Sequence, residues 1–279
     1  MATTTESLKA FLDAADSTAL VEVARAKGST PREAGAHMLV SSKAIHGTIG
    51  GGQLEFMAID QARQMLADAK GPQELLLDVP LGPEIGQCCG GRVEVLIRLV
   101  DDTLKAELIR NAQAEDELLP HIYIFGGGHV GQALAGALSL LPVKAAVIET
   151  RAAALEGMPA SVETRLTSVP EEMVRSAPAG AAFVVLTHDH ALDFLIVAEA
   201  LKRNDAAYVG MIGSKTKKAT FRSWYLKSAG GSDAGFSRLV SPIGGDVVKD
   251  KRPAVIAALA AAEIMTALSH RATRIKSIS

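Results

Sequence analysis

A glycine-rich turn in the middle of the chain constrains the fold more than any other feature of the sequence. Residues 126–131 read Gly-Gly-Gly-His-Val-Gly and follow the apolar run 122–125, which is typical of a strand buried on both faces. A helix is predicted over 130–141, and a second apolar strand ends at Glu149, about 20 residues beyond the turn. This order is that of a dinucleotide-binding βαβ unit, and it predicts a Rossmann-like sheet.

The remainder of the C-terminal half keeps the same alternation of apolar strands and helices. Such alternation produces a parallel sheet with helices on both faces. The predicted strands are 145–148, 183–186 and 206–209, and the predicted helices that follow them are 192–201 and 254–268.

The N-terminal half has a different pattern, with shorter strands and more glycine. Residues 92–99 alternate between apolar and mostly polar side chains, as expected of a half-buried strand. A helix is predicted over 104–112, and it is followed by an acidic stretch that ends at Pro120. We therefore expect an α/β protein with a small N-terminal α/β domain followed by a C-terminal Rossmann-like doubly wound parallel sheet. The predicted boundaries are 1–112 for the first domain, 113–120 for a linker and 121–279 for the second.

Composition excludes several classes of function. The 279 residues carry a formal net charge of -2, and only 4% are aromatic, so neither a basic surface nor stacking platforms for nucleic acid are expected. Cys88 and Cys89 are adjacent and form a poor structural disulfide, which favours a cytoplasmic protein. The first residues lack a signal-peptide pattern, and the apolar run 254–262 is shorter than the ~20 residues of a membrane span. We expect a soluble protein with no membrane partner.

Four segments carry residues suited to chemistry. In the glycine turn, Gly126 permits the tight bend, Gly128 permits the approach of a phosphate, and Gly131 permits close packing of helix on strand. Glu149 would accept hydrogen bonds from ribose hydroxyls. Residues 86–91, Gly-Gln-Cys-Cys-Gly-Gly, offer soft thiolates for a metal or a thiophilic cofactor, although two thiols do not make a structural zinc site.

The other two segments follow predicted strands at the ligand-binding edge of the sheet. Residues 187–190, Thr-His-Asp-His, offer acid–base groups, anion donors or metal ligands. Residues 210–215 end in Ser214 and Lys215 and suit an anion pocket. Two further glycine clusters, 28–33 and 47–55, favour plain turns when each is taken alone.

Taken in order, these motifs resemble the xanthine dehydrogenase accessory protein family, XdhC/CoxI. The resemblance covers about residues 20–265 and rests on the segments 28–32, 47–52, 86–91, 126–131, 187–193 and 208–215. The chain departs from the family pattern after the second Rossmann strand. The family often has Asp-Pro-Arg there, whereas this chain has Glu149-Thr150-Arg151.

The resemblance implies a chaperone that is not an enzyme. Such a protein binds the molybdenum cofactor (molybdopterin), favours its sulfurated form and inserts it into xanthine dehydrogenase or a related molybdenum hydroxylase. It also implies a cysteine desulfurase-type sulfurase as a further partner, and a homodimer. One thiolate, Cys88 or Cys89, would approach the molybdenum, and the cofactor phosphate would lie at 126–131 or at 50–52. The residues assigned to the cofactor are Cys88, Cys89, Gly50, Gly51, Gly52, Gln53, Gly126, Gly128, His129, Gly131, Glu149, Arg151, His188, Gly213, Ser214 and Lys215.

Two other functions remain open from the residues alone. The first is an NAD(P)-dependent oxidoreductase that uses the Rossmann turn, with His188 or His190 as its acid–base group. The second is a metal-dependent hydrolase built on His188, Asp189 and His190. The Rossmann pocket would hold the cofactor, a nucleotide or NAD(P), or no ligand.

Overall fold

The chain divides into two compact units in a computed structural model, and each unit is described by itself. The structure describes residues 4–68, 70–82 and 90–276. Among these residues, one unit extends up to Glu117 and the other begins at Leu118.

The N-terminal unit is a five-stranded sheet with helices on both faces. The strands lie in the order β3-β2-β1-β5-β4, and every neighbouring pair is antiparallel. Its elements are α1 (Thr4–Ala14), β1 (Ala19–Lys27), β2 (His37–Val40), β3 (Ile45–Gly47), α2 (Gly52–Ala67), β4 (Glu74–Pro80), β5 (Arg92–Leu99) and α3 (Asp102–Leu118).

Alternation along the strands divides the apolar residues of this unit between two small cores. Helix α2 packs through Leu54, Ala58 and Met65 on one face of the sheet, against Val21, Val95 and the other apolar residues of that face. Helices α1 and α3 cover part of the opposite face in a second core. The alternation predicted for 92–99 is confirmed, since Val93, Val95 and Ile97 are buried.

The second unit is a doubly wound parallel sheet. Its six strands lie in the order β11-β10-β9-β6-β7-β8, and every pair is parallel. The chain reverses direction across the sheet between β6 and β9, and this reversal is the switch point where such sheets bind ligands. The elements are β6 (His121–Phe125), α4 (His129–Leu138), β7 (Lys144–Glu149), a 3-10 turn (Ala152–Leu155), β8 (Glu163–Leu166), α5 (Glu171–Ser176), β9 (Ala182–Val185), α6 (His190–Lys202), β10 (Tyr208–Met211), α7 (Lys215–Lys227), α8 (Asp233–Phe236), β11 (Leu239–Val240) and α9 (Pro253–Lys276).

Helices cover both faces of this sheet, which confirms the predicted fold class. Helices α4 and α9 pack on one face with Ile124, Leu134 and Val184, and helices α5, α6 and α7 pack on the other with Phe183 and Phe221. Strand β9 is buried along its whole length because it contributes to both cores.

Two expectations about the helices require correction. Residues 113–117, predicted as the start of a linker, are the last turns of α3, which ends at Leu118. Glu115 and Glu117 are exposed on this helix, whereas Asp116 is half-buried and accepts a hydrogen bond from Thr5 N at 3.0 Å, so charge density alone was a poor indicator of a linker. Helix α9 is also longer than its central apolar run: over Pro253–Arg271 it has the length and composition of a membrane span. A core helix meets the same criterion, and the stripe through Ala257, Ala260 and Ile264 packs in the core with α4.

Two leucines near α4 test this packing. Leu134 is fully buried, whereas Leu140, just beyond the helix, is 67% exposed. We expect Leu134→Ala to lower the free energy of unfolding of the Rossmann unit by ~2–5 kcal/mol through lost burial and a cavity. Leu140→Ala should change it by less than ~0.5 kcal/mol. The measurement is urea unfolding followed by the fluorescence of Trp224, the single tryptophan, which reports on this unit. Equal effects of the two substitutions would contradict the packing described.

Candidate functional site

The carboxyl edge of the parallel sheet brings three of the predicted motifs together. Strands β6, β9 and β10 are neighbours in the sheet, so the loops that follow them, 126–128, 186–189 and 212–214, leave the same edge side by side. Hydrogen bonds join them directly, from Leu186 N to Phe125 O (2.8 Å) and from Ile212 N to Val185 O (2.9 Å). This edge is where doubly wound sheets bind their ligands.

The glycines of the first loop have separate structural roles. A Cβ atom at Gly126, whose φ is +113°, would lie 2.6 Å from Leu186 O, and one at Gly131 would lie 2.0 Å from Gly126 O. No atom lies within 4 Å of a Cβ placed on Gly128. Gly126 and Gly131 therefore permit close backbone packing, and Gly128 faces open space.

Three helices begin at this edge, and their first turns differ. Helix α6 is capped by Asp189, whose carboxylate accepts from Ala191 N at 2.8 Å. Helix α7 is capped by Ser214, which accepts from Lys217 N at 3.2 Å. Helix α4 starts at Gly128 without a side-chain cap. Its first N–H groups are therefore left available to an anionic ligand.

Glu149 lies behind the α4 turn, where donors from the protein surround its carboxylate. Its side chain is only 3% exposed. It accepts hydrogen bonds from the backbone N–H groups of Gly127 (2.9 Å), Thr150 (2.8 Å) and Arg151 (3.1 Å), and also from the Arg151 guanidinium. A carboxylate has about four acceptor sites, and these donors from the protein occupy them in this structure. Glu149 stabilises the turn from within.

The same donors determine the protonation state of Glu149. Burial acts to raise its pKa, but hydrogen bonds from Arg151, Gly127 and Thr150 outweigh burial and lower the pKa from 4.5 to about 2. The carboxylate is therefore ionised at neutral pH. Its charge is neutralised locally by Arg151, which lies 3.3 Å away through Nη2.

The other side chains predicted at this edge are at the surface. His129, His188, His190 and Lys215 are all exposed. Within residues 4–68, 70–82 and 90–276, no cluster of three His, Cys, Asp or Glu side chains could hold a metal ion. The described part of the chain therefore gives no support to the hydrolase interpretation.

Sequence reasoning missed a buried ion pair beneath these loops. Asp193 on α6 is fully buried and forms an ion pair with Lys217 of α7, whose side chain is 8% exposed. The second oxygen of Asp193 accepts from Thr187 N at 3.0 Å and from Thr187 Oγ1 at 2.6 Å. The sequence signal that could have identified this pair is the single charged residue, Asp193, in the otherwise apolar segment Leu-Asp-Phe-Leu-Ile-Val.

The glycine clusters of the N-terminal unit also meet. A Cβ at Gly91 would lie 2.3 Å from Ser29 O, and a Cβ at Gly50 would lie 2.6 Å from Pro31 Cβ and 3.2 Å from Arg32 Cγ. The turn 28–32 thus contacts both the segment after Cys88 and Cys89 and the loop before α2. Two clusters that individually favoured plain turns are therefore in contact, through the side chains of Pro31 and Arg32.

A carboxylate also holds the glycine loop before α2. Glu55 accepts from Thr48 Oγ1 and from the N–H groups of Ile49 and Gly51, both at 3.0 Å. Burial acts to raise the pKa of Glu55, but these hydrogen bonds, led by that of Thr48, lower it overall. Gly50, Gly51 and Gly52 all have positive φ, and Gln53 beside them is exposed.

The predicted thiol pair lies outside the described residues. Cys88 and Cys89 belong to the segment 83–89, so only its flanks are described. Gly90 N donates to Leu81 O, and Leu81 N donates to Gly91 O, both at 2.8 Å. These bonds bring the two ends of the segment together beside the turn 28–32.

The fold and these loops define a two-unit α/β protein with a Rossmann unit and a separate glycine-rich unit. Residues 122–264 match the family model described as the XdhC Rossmann domain, and residues 11–78 match that of the XdhC and CoxI family. The chain belongs to the XdhC/CoxI family of xanthine dehydrogenase accessory proteins. This membership confirms the resemblance identified from the six motifs.

Two known proteins are similar over most of the chain. Uncharacterized protein YqeB of Escherichia coli (strain K12) is 26% identical over 258 residues, which are 88% of this chain and 43% of YqeB. The chain therefore spans less than half the length of this curated relative. A crystal structure from Bacillus halodurans, described as a xanthine dehydrogenase, matches with a TM-score of 0.78 and 18% identity over 96% of each chain. At that identity, the match shows a shared fold.

The Glu149 network predicts a pH-dependent contribution to stability. Because the pKa of Glu149 is lowered from 4.5 to about 2 on folding, its stabilisation is complete above pH 4.5 and is lost as the pH falls towards 2. We expect Glu149→Gln to lower the free energy of unfolding by ~2–3 kcal/mol at pH 7 and by progressively less below pH 4.5. Thermal unfolding monitored by Trp224 fluorescence measures the difference.

Glu163→Gln is the matched control for this experiment. Glu163 lies on the neighbouring strand β8, and its exposed side chain pairs with Arg165 at 2.7 Å. The substitution should cost less than ~1 kcal/mol. A loss for Glu149→Gln that stays constant from pH 7 to pH 3 would contradict the role assigned to its carboxylate.

Proposed function

We propose that this protein binds the molybdenum cofactor in its N-terminal unit and delivers it to xanthine dehydrogenase or a related molybdenum hydroxylase. Membership of the XdhC/CoxI family supports an accessory role for xanthine dehydrogenase. The observation that carries the assignment to this unit is the contact of turn 28–32 with both Gly91 and Gly50. It joins the base of the cysteine segment to the glycine loop.

The thiols would bind the metal end of the cofactor. A thiolate is a soft ligand, and molybdenum in a sulfur-rich cofactor is a suitable partner for Cys88 or Cys89. Gly90, next to Cys89, has a φ of +67° and leaves open space where a Cβ would be. Glycine there lets a bulky ligand approach the backbone.

The phosphate end would lie at the glycine loop before α2. A Cβ at Gly51 meets no atom within 4 Å, so the loop has room for a ligand, and the first turn of α2 directs N–H groups outwards. Arg32 is exposed next to Gly50 and supplies a positive charge. This loop is favoured over 126–131 because it adjoins the cysteine segment within one unit.

Delivery requires a site that a recipient protein can reach. Ser29, Arg32 and Gly50 are exposed or half-buried, so the bound cofactor would lie at the surface of the unit. We further propose a homodimer in the cytoplasm, and a sulfurase partner that supplies the sulfurated cofactor. The oxidoreductase alternative is not carried forward, because the carboxylate that should bind ribose is already saturated by protein donors.

Cofactor retention tests the proposal. Purified protein is mixed with molybdenum cofactor under anaerobic conditions and separated by gel filtration, and molybdenum and pterin are measured per chain. We expect near-stoichiometric retention by the wild type, and about tenfold or greater weakening in Cys88→Ser/Cys89→Ser because the metal loses its soft ligands. No retention by the wild type would refute the proposal, and unchanged retention by the double variant would refute the role of the thiols.

Two glycine substitutions test the placement of the phosphate. Gly50→Ala puts a methyl group 2.6 Å from Pro31 and should displace the turn 28–32, whereas Gly35→Ala, also at positive φ, meets no atom within 4 Å. Both carry ~1–3 kcal/mol of backbone strain from their positive φ, and Gly50→Ala adds the clash with Pro31. Only Gly50→Ala should also reduce cofactor retention. Equal retention by the two variants would argue against a site at this loop.

A further inference from the structure

The edge strands of the two sheets differ in how well they are protected against pairing with a further strand. Strands β3 and β11 are three and two residues long, and β8 carries the ion pair of Glu163 and Arg165. Short length and charged side chains are the usual protection of an edge. Strand β4 is also an edge, yet it is seven residues long and includes Leu75, Leu76 and Leu77 in succession.

The backbone of β4 has hydrogen-bonding groups that face away from its neighbour β5. Gln73 O accepts a hydrogen bond from β5 at 2.9 Å, and Leu81 N donates one to the residue just before β5 at 2.8 Å. The odd-numbered residues therefore bond to β5. Because bonding alternates along an antiparallel strand, the N–H and C=O groups of Glu74, Leu76 and Asp78 point outward. No other strand in residues 4–68, 70–82 and 90–276 pairs with this edge.

The side chains of β4 leave the same edge apolar. Leu75 and Leu77 are half-buried at the border of the core beneath α2, and Leu76, on the other face of the sheet, is 54% exposed. The charge of Asp78 does not protect the edge, because its carboxylate accepts from Arg92 Nε of β5 at 2.6 Å. A long apolar edge is a site for pairing with another chain.

We propose that β4 pairs with β4 of a second copy of this chain, antiparallel and about a twofold axis at Leu77. The two five-stranded sheets then form one continuous sheet, and this contact is the interface of the homodimer proposed above, on which it rests. Leu76 lies opposite Asp78 of the partner subunit, and Leu75 packs beside Val79 of the partner subunit. The apolar row beneath α2 thereby continues from one copy into the other.

The charges of β4 select this register. Outward-facing residues must lie opposite each other to exchange hydrogen bonds. An axis at Leu76 would place Glu74 opposite Asp78 of the partner subunit, and an axis at Asp78 would place that carboxylate opposite its own copy. Like charges directly opposite each other are destabilising. An axis at Leu77 avoids both contacts and pairs the whole strand, with Pro80, which has no N–H, at its end.

The pairing also brings the second copy to the cofactor site. Leu81 follows β4 and begins the connection that contains Cys88 and Cys89. In this register it lies opposite Gln73 of the partner subunit, and the exposed Lys70 of the partner subunit is three residues further along. Each cysteine segment is therefore flanked by the other subunit, which adds a positive charge beside an anionic ligand.

Sedimentation velocity of the purified protein without cofactor tests the interface. The wild type should be a dimer, and Leu76→Asp should weaken dimerisation about tenfold or more, because apolar contact is lost and the new carboxylate lies opposite Asp78 of the partner subunit. Leu166→Asp is the matched control, since Leu166 is 58% exposed on the edge strand β8, and it should dimerise as the wild type does. A monomeric wild type would overturn the proposal, and so would equal dimerisation of the two variants.

Disulfide formation tests the register separately from any effect of Leu76→Asp on folding. In the Cys88→Ser/Cys89→Ser background, Leu77→Cys places two thiols opposite each other across the axis, at a Cα separation of ~4.5 Å that a disulfide spans. Leu75→Cys, half-buried on the same face, places the thiols four residues apart along the pair, or ~13 Å, which is too far.

We expect Leu77→Cys to give a covalent dimer on a non-reducing gel and Leu75→Cys to give none. No cross-link with Leu77→Cys, or equal cross-linking of the two variants, would overturn the proposal. Both measurements are made without cofactor, so failure of this interface and failure of cofactor retention are observed independently.

Discussion

Close approach of backbone segments at the carboxyl edge of the parallel sheet is the constraint on which the rest of the Rossmann unit depends. The turn after β6 lies against Leu186 and Thr187, which leaves no room for a Cβ at Gly126, and the carbonyl oxygen of Gly126 in turn leaves no room for a Cβ at Gly131. Because the two loops touch, the open first turn of α4 and the Thr187 loop form one surface. The network of Asp193 and Lys217 then fixes the second loop from beneath. The loops at this edge of the sheet are thus held by backbone contact and a buried ion pair together.

Both glycine-rich turns are held by a carboxylate that accepts backbone N–H groups. Glu149 does so for Gly127 in the Rossmann unit, and Glu55 does so for Ile49 and Gly51 in the N-terminal unit. Glycine-rich turns lose much conformational entropy when they fold. Hydrogen bonds to a fixed carboxylate offset part of that cost and hold the turn in one conformation. The sheets of the two units differ in topology, and yet in both units a glycine-rich turn is held by hydrogen bonds to one carboxylate.

Local patterns predicted the elements well, and their failures have identifiable causes. The Rossmann strands could be found because residues buried on both faces form continuous apolar runs, as 122–125 and 183–186 do. Strand β8 was missed because all four of its residues are exposed. Helix α3 was predicted to end too early, at residue 112, because acidic residues are common in helices as well as in linkers. The donors around Glu149 could not be predicted, because the pattern identifies an acid at a strand end but not the direction of its side chain.

The sequence by itself determined the family, the two sheets and the positions of the glycine turns. The sheets and the turns follow from periodicity and from residues such as Gly126, whose conformation few other side chains adopt, and the family follows from the resemblance of the ordered motifs. Only the tertiary structure decided which distant segments meet: turn 28–32 with Gly91 and Gly50, and Asp193 with Lys217. The physical reason is that such contacts depend on the packing of whole elements in three dimensions. Sequence spacing carries no information about that packing once the segments lie on different strands and helices.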